Sequence, residues 1–216
     1  MAAGAPAPLQ YDCSKNMEQS AGASRERIVE AAIGLFSDAG YAGTSMRDIA
    51  TAVGVLPGSL YAHIGGKEEL LVEILEAGAD RFLGGVPTIA AVPEPRARLR
   101  KAVELHLAAI AVNPKQALIL FHQWTYLTGA GRARMLDRRL RYRELFTEVV
   151  ADGIETGVFS DRLQAGLAGL SILGSLIFAA EWLEPRGAEN LEVLSEQMTE
   201  MILSGLRADG ALSRSS

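Results

Sequence analysis

Apolar side chains recur every three to four residues along most of this chain, the spacing of one face of an α-helix, and glycine or proline cuts the recurrence into helix-length pieces. No alternating apolar–polar stretch of useful length interrupts it. The fold class is therefore all-α, with about nine helices expected.

The first periodic piece starts at Ser24, carries Ile28, Ala32, Leu35, Phe36 and Ala39 on one face, and stops at Gly40, a residue suited to a left-handed cap. A second starts at Ser45, where Ser45-x-x-Asp48 has the form of a capping box, and turns Met46, Ile49, Ala50 and Val53 inward before Gly54. A short turn leads to a segment with Leu60 and Ile64 one helical turn apart, closed by Gly65-Gly66, and a fourth helix spans about Lys67 to Leu83. Residues 84–95 carry two glycines and three prolines, which predicts a linker or kinked connection. Further helices are expected at about 96–112, from Asn113-Pro114 as N-cap and N1, and at about 132–155, 161–183 and 188–207. Residues 1–23 have no period and read as a disordered arm, with translation from Met1 or from Met17 both compatible; residues 208–216 read as a flexible tail. The chain thus divides into a small helical unit at 24–70 and a larger one at 71–207.

With 49% hydrophobic and 22% charged residues, 216 residues can bury a sizeable core, which excludes wholesale disorder and a disulfide-stapled scaffold. A net charge of -5 supplies no global positive field, so any nucleic-acid binding must come from a local surface. Cys13 is alone and cannot close an intramolecular disulfide, and the first twenty residues lack the apolar run of a secretory signal, so a cytoplasmic location is expected. The eighteen positions from Leu163 to Ala180 hold no charge, the lower limit for a membrane span. Their glycines and serines (Gly166, Gly169, Ser171, Gly174, Ser175) and the lack of basic flank asymmetry point instead to a buried helix that others approach closely, in an oligomer interface or a cavity wall. No membrane partner is expected.

A short helix, a glycine-containing turn and a second short helix between two supporting helices form a helix-turn-helix, whose second short helix enters the DNA major groove. Thr44, Ser45, Tyr61 and Lys67 are donors at helix starts or on one face, suited to phosphate oxygens. Arg47 and the face of Leu56, Pro57, Gly58, Ser59 and Ala62 are candidates for base edges, with Arg47 alone able to read guanine bidentately. Tyr61 and His63 fit either phosphate contact or packing between helices, and Ile49, Leu60 and Ile64 fit the core. Residues 24–70 contain four Lys+Arg against six Asp+Glu, so binding is expected to rest on a symmetric dimer at a palindromic double-stranded DNA operator.

The run from Ser24 to Leu75 closely resembles the N-terminal domain of the TetR family of transcriptional repressors. The resemblance lies in Ala-Ala-x-x-Leu-Phe of the first helix, Gly40-Tyr41, Thr44-Ser45, Arg47-Asp48-Ile49-Ala50, Gly54-Val55, Gly58-x-Leu60-Tyr61-x-His63 and Lys67-Glu68-Glu69-Leu70. Leu56, Ala62 and Gly66 depart from the usual pattern, the first and last at positions that usually hold a polar cap. The resemblance implies a ligand-responsive, DNA-binding repressor, a homodimer through the last two helices and a ligand pocket in the C-terminal helices. Candidates for that pocket are His106, Trp124, Arg138, Tyr142, Phe146, Phe178 and Trp182, with Tyr126 and His122 further possibilities. Six arginines lie between Arg132 and Arg143, either a solvated helix face or a site for phosphates. The region from about Leu136 to Met198 is similar to the subgroup of the family that answers to acyl-CoA thioesters, which implies an acyl-CoA or other hydrophobic effector.

Chemistry of other kinds finds little support. Three histidines and one cysteine give no metal-ligand spacing, Gly169-Leu-Ser171 lacks the second glycine of a nucleophile elbow, and no glycine-rich phosphate loop is present. No catalytic residue, metal or cofactor is expected. The competing reading is a helical ligand-binding or adaptor protein without specific DNA binding.

Overall fold

The computed structural model describes residues 13–186 and 191–207. In chain order the helices are α1 (Cys13–Gly43), α2 (Met46–Val53), α3 (Pro57–Leu60), α4 (Lys67–Leu83), α5 (Val86–Ala90), α6 (Pro95–Val112), α7 (Pro114–His122), α8 (Gly129–Glu155), α9 (Ala165–Arg186) and α10 (Leu191–Gly205). A 3-10 turn, Trp124–Tyr126, joins α7 to α8. No strand occurs among the described residues; a lone bridge pairs Phe159 with Arg207.

The nine expected helices are all present, and α5 is added inside the segment expected to be a linker. The prolines there act as helix starters: Pro87 opens α5, and Pro95 opens α6 behind Glu94, whose carboxylate accepts from the amides of Arg96 and Ala97. Asn113 caps α7 through Gln116 N at 3.0 Å, as its place before Pro114 predicts. The expected arm over 1–23 needs correcting at its end, because α1 begins at Cys13; no proline lies between that residue and Ser24, so the helix propagates backwards from its anchored part. Residues 1–12, the expected tail at 208–216 and the start of the last helix at 188–190 lie outside the described residues.

One hydrophobic cluster runs through the molecule. Ile28, Ala32 and Phe36 of α1, Ile49 and Ala50 of α2, Leu60 and Ile64 of the α3 region, and Leu70, Leu71 and Ile74 of α4 close the N-terminal unit. The same α4 then turns Ala79 and Phe82 towards α6, α7 and α8, so a single helix belongs to both cores. Gln116 of α7 is buried against it, donating to Ile74 O at 2.9 Å and accepting from Arg81 at 3.0 Å.

Helix α9 lies so close to α8 that a Cβ on Gly169 would sit 2.9 Å from Thr147 N and 3.0 Å from Phe146 C. Backbone cannot yield as a side chain does. Gly169→Ala is expected to destabilise the fold by about 1–3 kcal/mol, read as a lower denaturant midpoint.

Candidate nucleic-acid interface and ligand cavity

The helix-turn-helix is built by two left-handed glycines. Gly40 (φ 75°) kinks α1 three residues before its end, and Gly54 (φ 79°) ends α2 while its amide bonds back to Ala50 O and Thr51 O. At the start of α2 the capping box forms as predicted: Ser45 Oγ accepts from Asp48 N at 3.2 Å, and Asp48 accepts from Ser45 N at 2.8 Å. The Ser45 hydroxyl and amide hold the Asp48 carboxyl below the usual carboxylate range. Helix α3 is one turn long, with hydrogen bonds of helical type continuing to Ile64.

Leu60 and Ile64 fix this segment from below. Its outer face, Leu56, Pro57, Gly58, Ser59, Tyr61, Ala62 and His63, is exposed, with Leu56 at 76% and Tyr61 at 56%. Arg47 is exposed on α2, and its guanidinium makes no hydrogen bond or ion pair among the described residues. These are the side chains free to meet a base edge or a phosphate.

Three residues expected to contact phosphate serve the fold instead, the first being Ser45, whose hydroxyl and amide both donate to Asp48 Oδ2, at 2.7 Å and 2.8 Å. Thr44 is buried, its hydroxyl donating to Gly40 O at 2.9 Å and sharing Leu35 O at 3.2 Å. The Lys67 ammonium donates to Tyr41 O and Thr44 O, both at 2.8 Å, and lies 4.2 Å from the centre of the Tyr41 ring. The end of α1 leaves carbonyls without intrahelical partners, and these donors satisfy them. Arg25, which sequence spacing does not single out, ion-pairs with Glu69 at 3.1 Å and Glu73 at 2.8 Å and donates to His63 O at 2.6 Å. It ties α1, α4 and the end of the reading segment together, through partners 38 to 48 residues away. Gly66, lacking a capping side chain, is compensated by Glu69, which accepts from Gly65 N at 2.7 Å.

In the larger unit a cavity of about 280 Å³ opens between α4, α7, α8 and α9. Phe82, Phe121, Leu173 and Ile177 supply its apolar wall; Arg138, Arg139, Tyr142 and Arg143 line its α8 side. Of the expected pocket residues, Arg138 and Tyr142 line the cavity directly. His106 and Phe146 sit one layer deeper, fully buried, with His106 Nδ1 3.0 Å from the Tyr142 hydroxyl. Trp124 lies beside it, under the guanidinium of Arg139 at 4.7 Å. Phe178 and Trp182 need correcting: they are 55% and 45% exposed on the far face of α9, where they line a shallow groove with Met198 and Met201 of α10. The helix is apolar all round, so its period could not distinguish inner from outer aromatics. His122 faces Glu181 at 3.4 Å and Tyr126 packs on Tyr41, both outside the cavity lining.

The arginine run is divided by partner. Arg134 and Arg138 ion-pair with Glu76 and Asp80 of α4, and Arg141 with Asp137. Arg132 donates to Thr125 O at 2.7 Å. Arg139 and Arg143 line the cavity without a carboxylate partner among the described residues, and burial pushes the Arg139 guanidinium below its usual pKa.

His106 is neutral in the fold because burial drives its pKa from 6.5 down to about 3, against a weak opposing pull from the Leu176 carbonyl; its Nε2 makes no hydrogen bond of ordinary geometry. The unfolded chain binds a proton there first, so this group makes stability fall as pH drops from about 6.5 towards 3. His106→Asn is expected to remove that slope from urea titrations run between those limits. Lys67→Met, which strands two corner carbonyls, is expected to lower stability by about 1.5–3 kcal/mol, whereas Tyr61→Ala stays within about 0.5 kcal/mol in the same denaturation assay.

Comparison with known proteins agrees with this arrangement. Residues 28–74 match the family profile "Bacterial regulatory proteins, tetR family", and residues 92–206 match "Tetracyclin repressor-like, C-terminal domain". The HTH-type transcriptional repressor KstR2 of Rhodococcus jostii is 29% identical over 184 residues, covering 84% of this chain and 90% of that protein. The structure of the ketosteroid transcriptional regulator KstR2 of Mycobacterium tuberculosis superposes with a TM-score of 0.79 at 27% identity, covering 86% of this chain and 95% of that one. AibR, solved in complex with isovaleryl coenzyme A and operator DNA, superposes with a TM-score of 0.72 at 27% identity, covering 85% of this chain and 98% of that one. These relatives are regulators and not enzymes. The chain belongs to the TetR family of DNA-binding transcriptional regulators.

Proposed function

We propose that this protein is a cytoplasmic repressor that holds a palindromic operator as a homodimer and releases it when an acyl-CoA thioester fills the cavity. The observation that carries the DNA reading is the outer face of α3: seven exposed residues from Leu56 to His63 surround the buried anchor Leu60. The small and apolar side chains among them suit thymine methyl groups, and Arg47 suits a guanine edge. With Thr44 and Lys67 turned inward and both Ser45 donors given to Asp48, phosphate contact is left to Tyr61, His63 and backbone amides, fewer donors than the sequence pattern implies. One such head discriminates poorly, and two held at a fixed spacing discriminate well.

The dimer surface is the outward side of α9 and α10. Leu167, Phe178, Trp182, Val193 and Met201 are all exposed there, apolar side chains for a second copy to cover. Ser171, Gly174 and Ser175 lie among them and allow close approach. A dimer seam also accounts for α9 being long and apolar enough by composition to cross a membrane, with 39% of that stretch buried within one chain.

The ligand reading rests on the cavity's two characters. Its apolar wall suits an acyl group, and Arg139 and Arg143 suit the phosphates of a CoA head. AibR, of similar fold, binds isovaleryl coenzyme A. Helix α4 is the main transmitter, because its first turn supports the reading head while Ala79, Phe82 and Leu83 line the cavity. A tenfold loss of operator affinity requires about 1.4 kcal/mol of coupling.

DNA from beside the protein's own gene should be shifted in gels by the native protein, weakly by Tyr61→Ala, and not by Trp182→Glu, which should sediment as a monomer. Acyl-CoAs should raise the melting temperature and release the DNA. Equal shifts by all three proteins would remove the assigned reading face and dimer seam, and no shift by the native protein would remove the DNA reading; stabilisation by uncharged hydrophobic compounds but by no acyl-CoA would remove the ligand class.

A further inference from the structure

The six residues from Gln123 to Thr128 touch both functional regions and belong to neither. Gln123 acts as a detached cap for the end of α1: its Oε1 accepts from Tyr41 N at 2.8 Å and its Nε2 donates to Phe36 O at 2.7 Å. Tyr126 packs its ring on that of Tyr41 at 5.2 Å. Thr128 donates through both its amide and its hydroxyl to Glu68 Oε1, each at 2.8 Å, which holds Glu68, in the first turn of α4, below the usual carboxylate range. Leu127, 1% exposed, anchors the segment in the core.

At its other side the segment meets the cavity through one residue. The Trp124 ring is covered by the guanidinium groups of Arg139 at 4.7 Å and Arg132 at 5.4 Å. Arg132 is also held by Thr125 O and does not line the cavity. Arg139 does line it, is half-buried, and has the Trp124 ring face where other arginines of α8 have carboxylates. A guanidinium in that position exchanges a ring face for charge-assisted hydrogen bonds as soon as an anion enters.

We propose that Arg139 is the positioning residue through which an occupied cavity acts on the reading head: an anionic ligand group draws its guanidinium off Trp124, and the Gln123–Thr128 segment passes that release to the corner between α1 and α2. The inference rests on the anion-bearing effector proposed above. It adds to α4 a second route, which ends on the carbonyls and amides around Tyr41 and not on α4 alone. The corner is also where Lys67 binds, so a loosened Gln123 leaves the ammonium as the main restraint there.

The test uses the full-length protein without ligand, so that failure of the acyl-CoA reading, seen as no thermal shift, stays separate from failure of this one. Affinity for the gene-proximal DNA is measured for Gln123→Ala, Arg139→Ala and the double variant, together with amide exchange at Tyr41. Each single variant is expected to weaken DNA binding about threefold to tenfold and to speed exchange at Tyr41, and the double variant to do no worse than the poorer single, because the two act in series. Arg134→Ala, which breaks an ion pair between α8 and α4 without touching Trp124, is the control for general loosening and should leave Tyr41 exchange unchanged. Wild-type behaviour in Arg139→Ala, multiplied effects in the double variant, or equal acceleration in Arg134→Ala would each overturn the proposal.

Discussion

The end of a helix leaves carbonyl groups that nothing within the helix can satisfy, and the way α1 solves this sets the position of everything that could touch DNA. Gly40 breaks the helical path of α1 just before its last three residues. The exposed carbonyls are then met from three directions, by Thr44 within the corner, Lys67 from α4 and Gln123 from the larger unit. Each donor comes from a different part of the chain. The angle between α1 and α2, and with it the placement of α3, is a property of the whole molecule and not of the helix-turn-helix alone.

The acidity of the N-terminal unit takes on a structural meaning in this light. Three of its four cations point back onto the protein: Arg25 to Glu69 and Glu73, Arg27 to Val53 O, Lys67 to the corner. The surplus carboxylates are partners, caps and clamps, with Asp48 closing α2, Glu69 closing α4 and Glu68 receiving Thr128. Placed donors and dimer geometry are left to do what a broad positive surface does elsewhere.

Much of this was legible from residue spacing, because helices, caps and glycine turns are local. Gly40, Gly54, the Ser45–Asp48 box and the Asn113-Pro114 start are all written within a few residues of where they act. What was not legible depends on contacts across the chain. Thr44 and Lys67 are donors in any reading, yet only the fold shows that their partners are carbonyls a few ångströms away and not phosphates. Arg25 and Gln123 carry no motif at all, since their partners lie about 40 to 90 residues distant. Phe178 and Trp182 failed for a different reason: on a helix apolar all round, periodicity has no polar face from which to tell inside from outside.

Helix α4 contributes Leu70, Leu71 and Ile74 to one core and Ala79 and Phe82 to the other without a break. Two functional units therefore share one folding unit. Movement of α4 at the cavity end is thus carried into the core of the reading head. The same continuity means that a ligand bound in the cavity also stabilises the reading head, although the two share no surface.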